Sequence, residues 1–354
     1  MDQARGRVLV AMSGGVDSSV AAALLAEQGY DCVGVTMHLW DASGDQQVGR
    51  CCAPEDREDA RRTCEALGIP HYVLDERDAF RREVVEPFID EYREGRTPSP
   101  CVHCNRTVKL AQLADVADRL GAAWIATGHY ARVVHDGDRA RLLRGADRHK
   151  DQSYFLFGVP QRVLGRLRFP LGALEKDAVR REGHRLGVPN ADKPDSQELC
   201  FIPDGDVAGF IARERGEGRP GVIRDEEGAA LGAHHGVEGF TVGQRKGLGL
   251  GGGAAPRYVL RILPDSDEVV VGGAAGLMAR ELAAKDASWL AGRPGEPFEA
   301  AVRIRYRHAP ARARVTPTGG GFTATFAEPQ RAITSGQAAV VYRGDEVLGG
   351  GFIA

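Results

Sequence analysis

The spacing of apolar residues in the first half of the chain predicts alternating strands and helices. Short apolar runs typical of buried strands are separated by stretches with helical spacing. Because strands that alternate with helices usually build one parallel sheet, the pattern predicts an N-terminal α/β domain with a doubly wound parallel sheet. The predicted strands are Val8–Met12, Val33–Leu39, Ile69–Leu74 and Ala123–Thr127, and the predicted helices include one that ends at Ala26, Pro54–Leu67 and Val108–Leu120.

A further helical stretch repeats large side chains every four positions, at Phe80, Val84, Phe88 and Tyr92. The repeat puts them on one helix face, and we interpret this stripe as core packing. Pro87 lies within the stretch and lacks a backbone N–H, so we expect a bend or a break there.

Beyond the fourth predicted strand, short β-type runs replace most helices. Arg132–Val134 and Arg141–Leu143 predict a hairpin, and Glu175–Leu186 predicts a helix that ends before Gly187. From about Gly205 onward glycine is frequent, and the separated β runs predict a small barrel or sandwich. Those runs are Val259–Leu263, Val269–Val271, Ala300–Arg305, Phe322–Phe326 and Ala338–Tyr342.

These changes place domain boundaries near residues 205 and 275. The chain is thereby divided into an N-terminal domain at 1–205, a small central connector domain at 206–275 and a C-terminal β-barrel at 276–354. The glycine-rich run Gly247–Gly253 is interpreted as a flexible connection.

Composition narrows the function classes only slightly. The net charge of −3 neither indicates nor excludes nucleic-acid binding, because a local basic face can coexist with an acidic remainder. No apolar run approaches the length needed to span a bilayer, and the start of the chain lacks the features of a signal peptide. Seven cysteines, an odd number, favour reduced thiols over a disulfide framework, so we expect a cytoplasmic protein without membrane contact.

The most informative loop is Ser13–Ser19, between the first predicted strand and helix. Gly14 and Gly15 let backbone amides approach phosphate oxygens, and the start of the helix attracts anions. Asp17 is unexpected beside an anion unless it helps to hold Mg²⁺ or orients the loop. There is no Gly-Lys-Ser/Thr, so the loop is not a Walker A motif. A plain Ser/Gly-rich turn is the alternative, but the pattern resembles the PP-loop of ATP pyrophosphatases.

Three cysteines are the second informative feature of the sequence. Cys101 and Cys104 lie just before the predicted helix at Val108–Leu120, a position that stabilises a thiolate, and Cys200 lies far along the chain. Cys64 faces the core in our interpretation. Taken alone, the Cys-X-X-Cys pair is compatible with a redox pair, half a zinc site, iron–sulfur ligands or chance.

Together, these motifs resemble the tRNA-specific 2-thiouridylases over nearly the whole chain. The motifs are found in the family's order, and no single one carries the likeness. They are Ala11–Ser19, Gly95–Asn105, Thr127–Tyr130, Lys150–Leu156, Lys193–Ile202, Gly239–Gly249, Arg303–Arg307 and Gly336–Ala338.

The resemblance implies ATP-dependent 2-thiolation of the wobble uridine, position 34, with ATP and Mg²⁺. The C2 oxygen would be adenylated with release of pyrophosphate, and Cys200 would carry a persulfide. The terminal sulfur would attack C2 directly or be released first as sulfide, AMP would leave, and Cys104 would then close a transient disulfide with Cys200. The partners implied are tRNAs for Lys, Glu and Gln and a persulfide sulfur-relay donor protein. The nucleotide-binding positions carried over are Ala11, Met12, Ser13, Gly14, Gly15, Val16, Asp17, Ser18, Met37 and Gly128.

The resemblance also implies contacts with the target base and the rest of the tRNA. Without it, Arg305 and Tyr306 would be interpreted as an alternating barrel strand and Lys150 as a solvated charge. The positions carried over are Ser99, Pro100 and Cys101 for the base, and His129, Lys150, Asp151, Gln152, Arg305, Tyr306 and Gln337 for the tRNA.

Two positions depart from the family's pattern. Many relatives have Asp where this chain has Cys101, and Ser99 replaces an expected Asn. The first change puts a proton-transfer role at this position in doubt. It also raises the hypothesis that Cys101, Cys104 and Cys200 bind three corners of a [4Fe–4S] cluster. Two alternative functions remain for a nucleotide loop of this kind: a PP-loop ligase acting on a small metabolite and a nucleotide-binding RNA chaperone without chemistry.

Overall fold

The computed structural model describes residues 5–41, 54–137, 139–195, 199–251 and 255–354. Cys51, Cys52 and Ser196–Glu198 lie outside the described residues, as do Asp138 and part of the glycine-rich run. Backbone contacts divide the chain into two compact units. Unit 1 comprises Met1–Val84, Cys101–Asp204 and Asp345–Val347, and unit 2 comprises Val85–Pro100, Gly205–Gly344 and Leu348–Ala354.

The helices and strands are numbered here in chain order. The helices are α1 (Val16–Glu27), α2 (Pro54–Leu67), α3 (Arg77–Phe80), α4 (Glu86–Arg93), α5 (Pro100–His103), α6 (Leu110–Arg119), α7 (Gln161–Leu164), α8 (Lys176–Arg185) and α9 (Val207–Arg215). The strands are β1 (Arg7–Ala11), β2 (Asp31–His38), β3 (His71–Asp75), β4 (Trp124–Ala126), β5 (Ala131–Asp136), β6 (Arg139–Arg144), β7 (Leu167–Arg168), β8 (Gly221–Arg224), β9 (Ala230–His234), β10 (Tyr258–Leu263), β11 (Glu268–Gly272), β12 (Met278–Trp289), β13 (Phe298–Arg303), β14 (Ala311–Pro317), β15 (Gly321–Arg331), β16 (Ala338–Arg343) and β17 (Glu346–Ile353).

A five-stranded parallel sheet with the order β3-β2-β1-β4-β7 forms the centre of unit 1. On one face, Val8 and Val10 of β1 pack with residues of α1 and α2. On the other face α6 contacts β1 and β4, and Leu9 is fully buried. Helices therefore cover both faces, and the predicted doubly wound α/β domain is confirmed.

Local sequence explains where the first helices begin and end. Proline is favoured at the first position of a helix, where its missing N–H costs nothing, and Pro54 begins α2 with Glu55 and Asp56 in the first turn. Gly68 follows α2 at φ +66°, a left-handed conformation that favours glycine and ends the helix as predicted.

The expected irregularity at Pro87 is also confirmed. A π-helical turn at Arg81–Val85 separates α3 from α4, and Pro87 occupies the first turn of α4. A proline there needs no hydrogen-bond donor, so the wider turn before it accommodates the ring.

The predicted start of the cysteine-bearing helix is wrong. Cys101 lies within α5, which starts at Pro100, and Cys104 begins a π-helical stretch, Cys104–Lys109, that leads into α6. Pro100 provides a favoured helix start, so the two thiols lie in the first turns of the helical segment instead of ahead of it.

The predicted hairpin is present in unit 1 as the antiparallel pair β5–β6. The carboxylate of Glu346 accepts hydrogen bonds from Arg139 and Arg141 of β6 at 2.9 and 3.0 Å. Asp345 pairs with Arg132 and Arg148. These ion pairs explain how residues near the end of the chain belong to the N-terminal unit.

Unit 2 contains a four-stranded sheet and a separate barrel. The sheet has the order β10-β11-β8-β9 and surrounds a small core that includes Ile223, Phe240 and Val271. The barrel strands follow the order β12-β15-β14-β13-β16-β17, and pairing of β12 with β17 closes it. The prediction of a C-terminal β-barrel is confirmed.

Glycines allow the barrel to close tightly. A Cβ at Gly349 would lie 2.2 Å from the carbonyl oxygen of Ser288, and one at Gly351 would lie 2.7 Å from that of Lys285. Any side chain at these positions would push β17 away from β12, so the glycines of β17 have a packing role.

Barrel strands β12, β14 and β17 were not predicted from the sequence. β14 alternates small inward residues with arginines, so its apolar face is weak, and β17 contains the glycines that usually mark turns. The strand predicted at Ala300–Arg305 ends at Arg303, so Arg305 and Tyr306 lie in the following turn.

In the described parts of the chain, no helix has the length and apolar character that a bilayer crossing requires.

Phe326 tests the barrel core, where its ring is almost completely buried among apolar side chains. We expect Phe326→Ala to destabilise unit 2 by about 3–5 kcal/mol because it removes buried surface and leaves a cavity. Native-state hydrogen exchange of the β14 and β15 amides measures this loss. Thr325→Ala is the control, since Thr325 is the exposed neighbour on the same strand. Equal exchange in the two variants would contradict the assigned core.

Candidate functional site

The Ser13–Ser18 loop joins the end of β1 to the start of α1 and folds back on itself. The Ser18 hydroxyl donates to the Gly15 carbonyl at 3.0 Å and accepts the Ser13 N–H at 3.1 Å. The two serine hydroxyl oxygens are 3.1 Å apart. Gly14 has φ +74°, which glycine tolerates without strain. The loop thus gathers hydroxyl and amide groups at the start of a helix, where an anion is stabilised.

Two glycines make this loop compact. A Cβ at Gly14 would lie 2.0 Å from the carbonyl oxygen of Asp56. A Cβ at Gly128, beyond the end of β4, would lie 2.8 Å from the Ser18 nitrogen and the Asp17 carbonyl carbon. Gly128 is therefore the point at which the end of a neighbouring strand contacts the loop backbone.

The other predicted nucleotide positions belong largely to the framework. Ala11 ends β1, and the Met12 N–H donates to the Val35 carbonyl at 2.8 Å. Val16 begins α1 and is buried, and Met37 lies near the end of β2 with little exposure. These residues position the loop at the carboxyl ends of the strands, where ligands bind in open α/β sheets.

Asp17 receives two hydrogen bonds on one carboxylate oxygen. The Tyr130 hydroxyl donates at 2.8 Å and the Lys176 ammonium at 2.7 Å. Burial and the nearby Asp17 carboxylate raise the pKa of Tyr130, so its hydroxyl remains a donor. The negative charge of Asp17, which was unexpected beside an anion site, is therefore paired with the ammonium of Lys176.

Lys176 links Asp17 to a second carboxylate. Its ammonium is 2.7 Å from Asp195, which also pairs with Lys150 at 2.6 Å and Arg180 at 3.3 Å. Burial raises the pKa of Asp195, but hydrogen bonds from Lys150 and Lys176 outweigh it and lower that pKa. Lys176 was not predicted as a site residue, because a lysine at a helix start carries no motif of its own.

Side chains that precede Asp195 in the sequence form a second set of contacts with the loop. The Asn190 side-chain amide and the Lys193 ammonium donate to the Gly14 carbonyl, at 2.9 and 3.1 Å. Lys193 also pairs with Asp56 and Asp59 of α2. Although burial lowers the pKa of Lys193, hydrogen bonds to these carboxylates raise it overall.

The predicted tRNA contacts of unit 1 cluster around the turn after β4. Thr127 Oγ1 and His129 Nδ1 are 2.7 Å apart. Burial, with a smaller effect of Lys109, lowers the pKa of His129 to about 3, so the ring is neutral at physiological pH. The Gln152 side chain accepts the Tyr130 N–H at 2.9 Å. Asp151 is fully buried, forms an ion pair with Arg144 and accepts the Gly145 and Ser153 N–H groups.

The cysteines differ in exposure. Cys101 is exposed, Cys104 is buried and Cys200 is intermediate. Burial raises the pKa of Cys32 to about 11 and that of Cys64 to about 12, and both pack in the core as interpreted for Cys64.

The described residues also bear on the hypothesis of a metal cluster. Nowhere among them do three or more His, Cys, Asp or Glu side chains lie close enough to hold a metal ion. Cys101, Cys104 and Cys200 are all described, so the three-cysteine ligand set of a [4Fe–4S] cluster is not assembled in this structure.

In unit 2, Gln337 holds the segment that leads to Pro100. Its side-chain amide donates to the Thr97 and Pro98 carbonyls at 3.0 and 3.1 Å. The buried Ser99 hydroxyl accepts the Ala338 N–H at 3.1 Å. Gln337 and Ser99, predicted to contact tRNA, therefore also fix the backbone that precedes the cysteine-bearing helix.

Arg305 and Tyr306 lie in the turn after β13. Arg305 donates to the Val242 carbonyl at 2.8 Å and to the Thr334 hydroxyl. The Arg303 guanidinium donates to the Tyr306 carbonyl and lies 5.3 Å from the centre of its ring. The turn is thus held by the buried Arg303 and the partly buried Arg305, which periodicity alone does not predict.

Three family models match consecutive parts of the chain. Residues 6–204 match the tRNA methyl transferase HUP domain, residues 208–273 the tRNA methyl transferase PRC-barrel domain, and residues 279–353 the aminomethyltransferase β-barrel domain. The first model alone covers more than half of the chain.

Curated relatives match almost the full length. A tRNA-specific 2-thiouridylase MnmA from Sorangium cellulosum is 54% identical over 98% of this chain and 92% of its own. One from Carboxydothermus hydrogenoformans is 50% identical over 99% of this chain and 98% of its own. Among solved structures, a 4-thiouridine synthetase–RNA complex with bound ATP is a distant match, with 15% identity and a TM-score of 0.35 over 59% of this chain and 50% of that one.

Gly128→Ala tests whether the loop backbone must keep its present position to bind nucleotide. Its Cβ would displace Asp17 or Ser18, and we expect the affinity for ATP·Mg²⁺ to fall at least about tenfold, measured by calorimetry. Gly165→Ala is the control, because the nearest atom to its Cβ is 3.4 Å away and its φ is −61°. Unchanged affinity in Gly128→Ala would contradict the proposed role of this close approach.

Gln337→Ala tests the anchoring of the Thr97–Ser99 segment. Loss of two donated hydrogen bonds should accelerate exchange of the Thr97 and Ala338 amides about tenfold, measured by hydrogen exchange. Gln330→Ala is the matched control, since the Gln330 side chain bonds locally to the Glu328 carbonyl. Equal protection in both variants would show that the Gln337 amide does not hold this segment.

Proposed function

The chain belongs to the tRNA-specific 2-thiouridylase family, and we propose that it catalyses the ATP-dependent 2-thiolation of the wobble uridine of tRNA. The observation that carries the proposal is identity of about half with named 2-thiouridylases across nearly the whole chain. The enzyme class is a tRNA-uridine 2-sulfurtransferase.

In the first step, the Ser13–Ser18 loop would hold the phosphates of ATP. The proposal is supported by the hydroxyls of Ser13 and Ser18 at the start of α1 and by the ammonium groups of Lys176 and Lys193 beside the loop. About a third of the Asp17 side chain is exposed, and its carboxylate is the kind of oxygen ligand that Mg²⁺ prefers. Mg²⁺ would neutralise phosphate charge there.

The chemistry requires activation because oxide is a very poor leaving group. The C2 oxygen of uridine would attack the α-phosphorus of ATP, forming an adenylated base and releasing pyrophosphate. AMP then becomes the leaving group, which makes replacement of oxygen by sulfur feasible. The loop contributes through positioning and charge stabilisation.

In the second step, Cys200 would carry a persulfide received from a sulfur-relay donor protein. Its terminal sulfur forms a bond with C2 while the C2–O bond breaks and AMP leaves. The Cys104 thiolate then attacks the Cys200 sulfur, which breaks the S–S bond to the base and forms a Cys104–Cys200 disulfide. An external dithiol reduces this disulfide with two electrons and restores both thiols.

The tRNA substrate would present its wobble base from a single-stranded loop, where splaying costs little. We propose Ser99, Pro100 and Cys101 at the base. The remaining contacts, with tRNAs for Lys, Glu and Gln as expected acceptors, would come from His129, Lys150, Asp151, Gln152, Arg305, Tyr306 and Gln337. A neutral His129 ring would contact RNA as a hydrogen-bonding group and not as a cation.

The test is a single-turnover thiolation assay with purified protein, ATP, Mg²⁺, a persulfide donor as the sulfur source and unmodified tRNA, followed by mass spectrometry of the nucleosides. We expect 2-thiouridine with the wild type and loss of at least about a hundredfold in Cys104→Ser. Cys200→Ser should lose activity as well, because it removes the sulfur carrier.

Cys32→Ala is the control, since this buried thiol packs in the core and has a raised pKa that keeps it unreactive. Thiolation by Cys32→Ala per folded molecule should match the wild type. Absence of 2-thiouridine in spite of ATP binding would overturn the proposal and favour a small-molecule ligase. Full activity of Cys104→Ser would overturn the assignment of that residue.

A further inference from the structure

We propose that Asn190 and Lys193 are positioning residues that hold the peptide between Gly14 and Gly15 in the orientation that binds phosphate. The inference rests on the proposed function only in that the Ser13–Ser18 loop binds the phosphates of ATP. It adds two residues outside the loop on which this binding depends, although neither of them acts as a phosphate ligand.

The peptide between Gly14 and Gly15 is the part of the loop that can most easily change orientation. Glycine adopts left- and right-handed backbone conformations at similar cost, and Gly14 has φ +74°. In a trans peptide the carbonyl of the first residue and the N–H of the second point to opposite sides. Rotation of this peptide plane would therefore replace a donor that attracts an anion by an acceptor that repels it.

In the structure this peptide presents its donor to the inside of the loop. The Gly15 N–H points towards the Ser13 hydroxyl oxygen at 3.4 Å, on the side where the Ser13 and Ser18 hydroxyls lie close together. The Gly14 carbonyl consequently points away from that side. The backbone and the two hydroxyls thus face an incoming phosphate with donors.

Two side chains from outside the loop hold the Gly14 carbonyl. The Asn190 side-chain amide donates to it at 2.9 Å and the Lys193 ammonium at 3.1 Å. A carbonyl oxygen has two lone pairs, and these two hydrogen bonds use both. Rotation of the peptide would break both bonds and turn the Gly15 N–H towards two other donors, so the contacts oppose it.

The hydrogen bonds of Lys193 all go to the protein. An ammonium has three N–H donors, and those of Lys193 bind the Gly14 carbonyl and the carboxylates of Asp56 and Asp59. Both carboxylates belong to α2, so the ammonium is fixed between that helix and the loop. Lys193 therefore acts on phosphate binding through the orientation of the Gly14 carbonyl.

The short turn that carries both donors is itself held in place. The Lys193 N–H donates to the Asn190 carbonyl at 3.1 Å. The Arg180 guanidinium donates to the carbonyls of Ala191 and Lys193 at 2.9 and 3.2 Å. Because these contacts need no ligand, the loop peptide is oriented before phosphate arrives, which lowers the cost of binding.

The experiment measures the affinity of the complete protein for inorganic pyrophosphate with Mg²⁺ by calorimetry. Asn190→Ala removes one of the two bonds to the Gly14 carbonyl without a change of charge, and we expect Kd to rise about fivefold. The substitution also removes an amide oxygen that is buried without a hydrogen-bond partner in the described part of the chain, so little stability should be lost.

Lys193 provides a second pair of variants, in case Asn190→Ala is poorly folded. Lys193→Met should raise Kd at least about tenfold, because it removes a charged donor. Lys193→Arg keeps both the charge and the donors and should restore the affinity to within about threefold of the wild type.

A second readout separates positioning of the peptide from a general effect on stability. In protein with isotope-labelled glycine, pyrophosphate should move the Gly15 amide proton signal of the wild type, because that N–H then donates to phosphate. In saturated Asn190→Ala the movement should be smaller. A purely structural role would lower the amount of folded protein and leave the signal of the bound form unchanged.

Gln161→Ala is the matched control for Asn190→Ala. The Gln161 side-chain amide also donates to a backbone carbonyl, that of Ala140 at 2.8 Å, but it belongs to α7 and the hairpin. Arg181→Gln is the control for charge, since Arg181 is an exposed cation of α8 in the same unit. Both controls should bind pyrophosphate like the wild type.

The inference is wrong if folded Asn190→Ala binds pyrophosphate as tightly as the wild type, or if Gln161→Ala weakens binding equally. An unchanged Gly15 signal in bound Asn190→Ala would also contradict it. A wild type that binds neither pyrophosphate nor ATP would refute both the loop assignment and the inference. Weakened binding by the variants, together with absent 2-thiouridine in the tRNA assay, would support the inference and contradict only the proposed function.

Discussion

The arrangement of unit 1 depends on a single ammonium group placed between two carboxylates. Lys176 neutralises Asp17 within the nucleotide loop and holds Asp195 of a distant segment. A buried lysine is costly unless it is paired, and these two partners offset that cost while fixing both segments. The loop, the helix that begins at Lys176 and the segment that ends at Asp195 are therefore parts of one charged network.

Periodicity predicted the fold well where the core is made of large apolar residues. Strands β1 to β4 of the parallel sheet, helix α2 and the irregularity at Pro87 all follow from local patterns, whereas the two-residue strand β7 was not predicted. The barrel was predicted as a class, but β14 and β17 were missed because β14 alternates small residues with arginines and β17 contains a run of three glycines. Such strands are specified by pairing with their neighbours, which a single sequence does not display.

The candidate site was predictable only in part, for a related reason. The loop serines, the glycines and the three cysteines stand out because their chemistry is local. Lys176 and Asn190 were not found, because their roles come from contacts with residues far away in sequence. The helix start at Pro100 was also misplaced, which changes the surroundings expected for Cys101. Gln337 is the opposite case. The family resemblance indicated a tRNA contact for it, and its side chain also donates hydrogen bonds within the protein, to the carbonyls of Thr97 and Pro98.

Closure of the barrel by β12 and β17 has a consequence for self-association. An open sheet exposes two rows of backbone donors and acceptors to which another chain can add a strand. Pairing of Gly349 with Trp289 and of Ile353 with Ala284 leaves neither strand with an open outer side over that length. The glycines that permit this close contact thus protect the protein against edge-to-edge aggregation, a property that a bulkier β17 would forfeit.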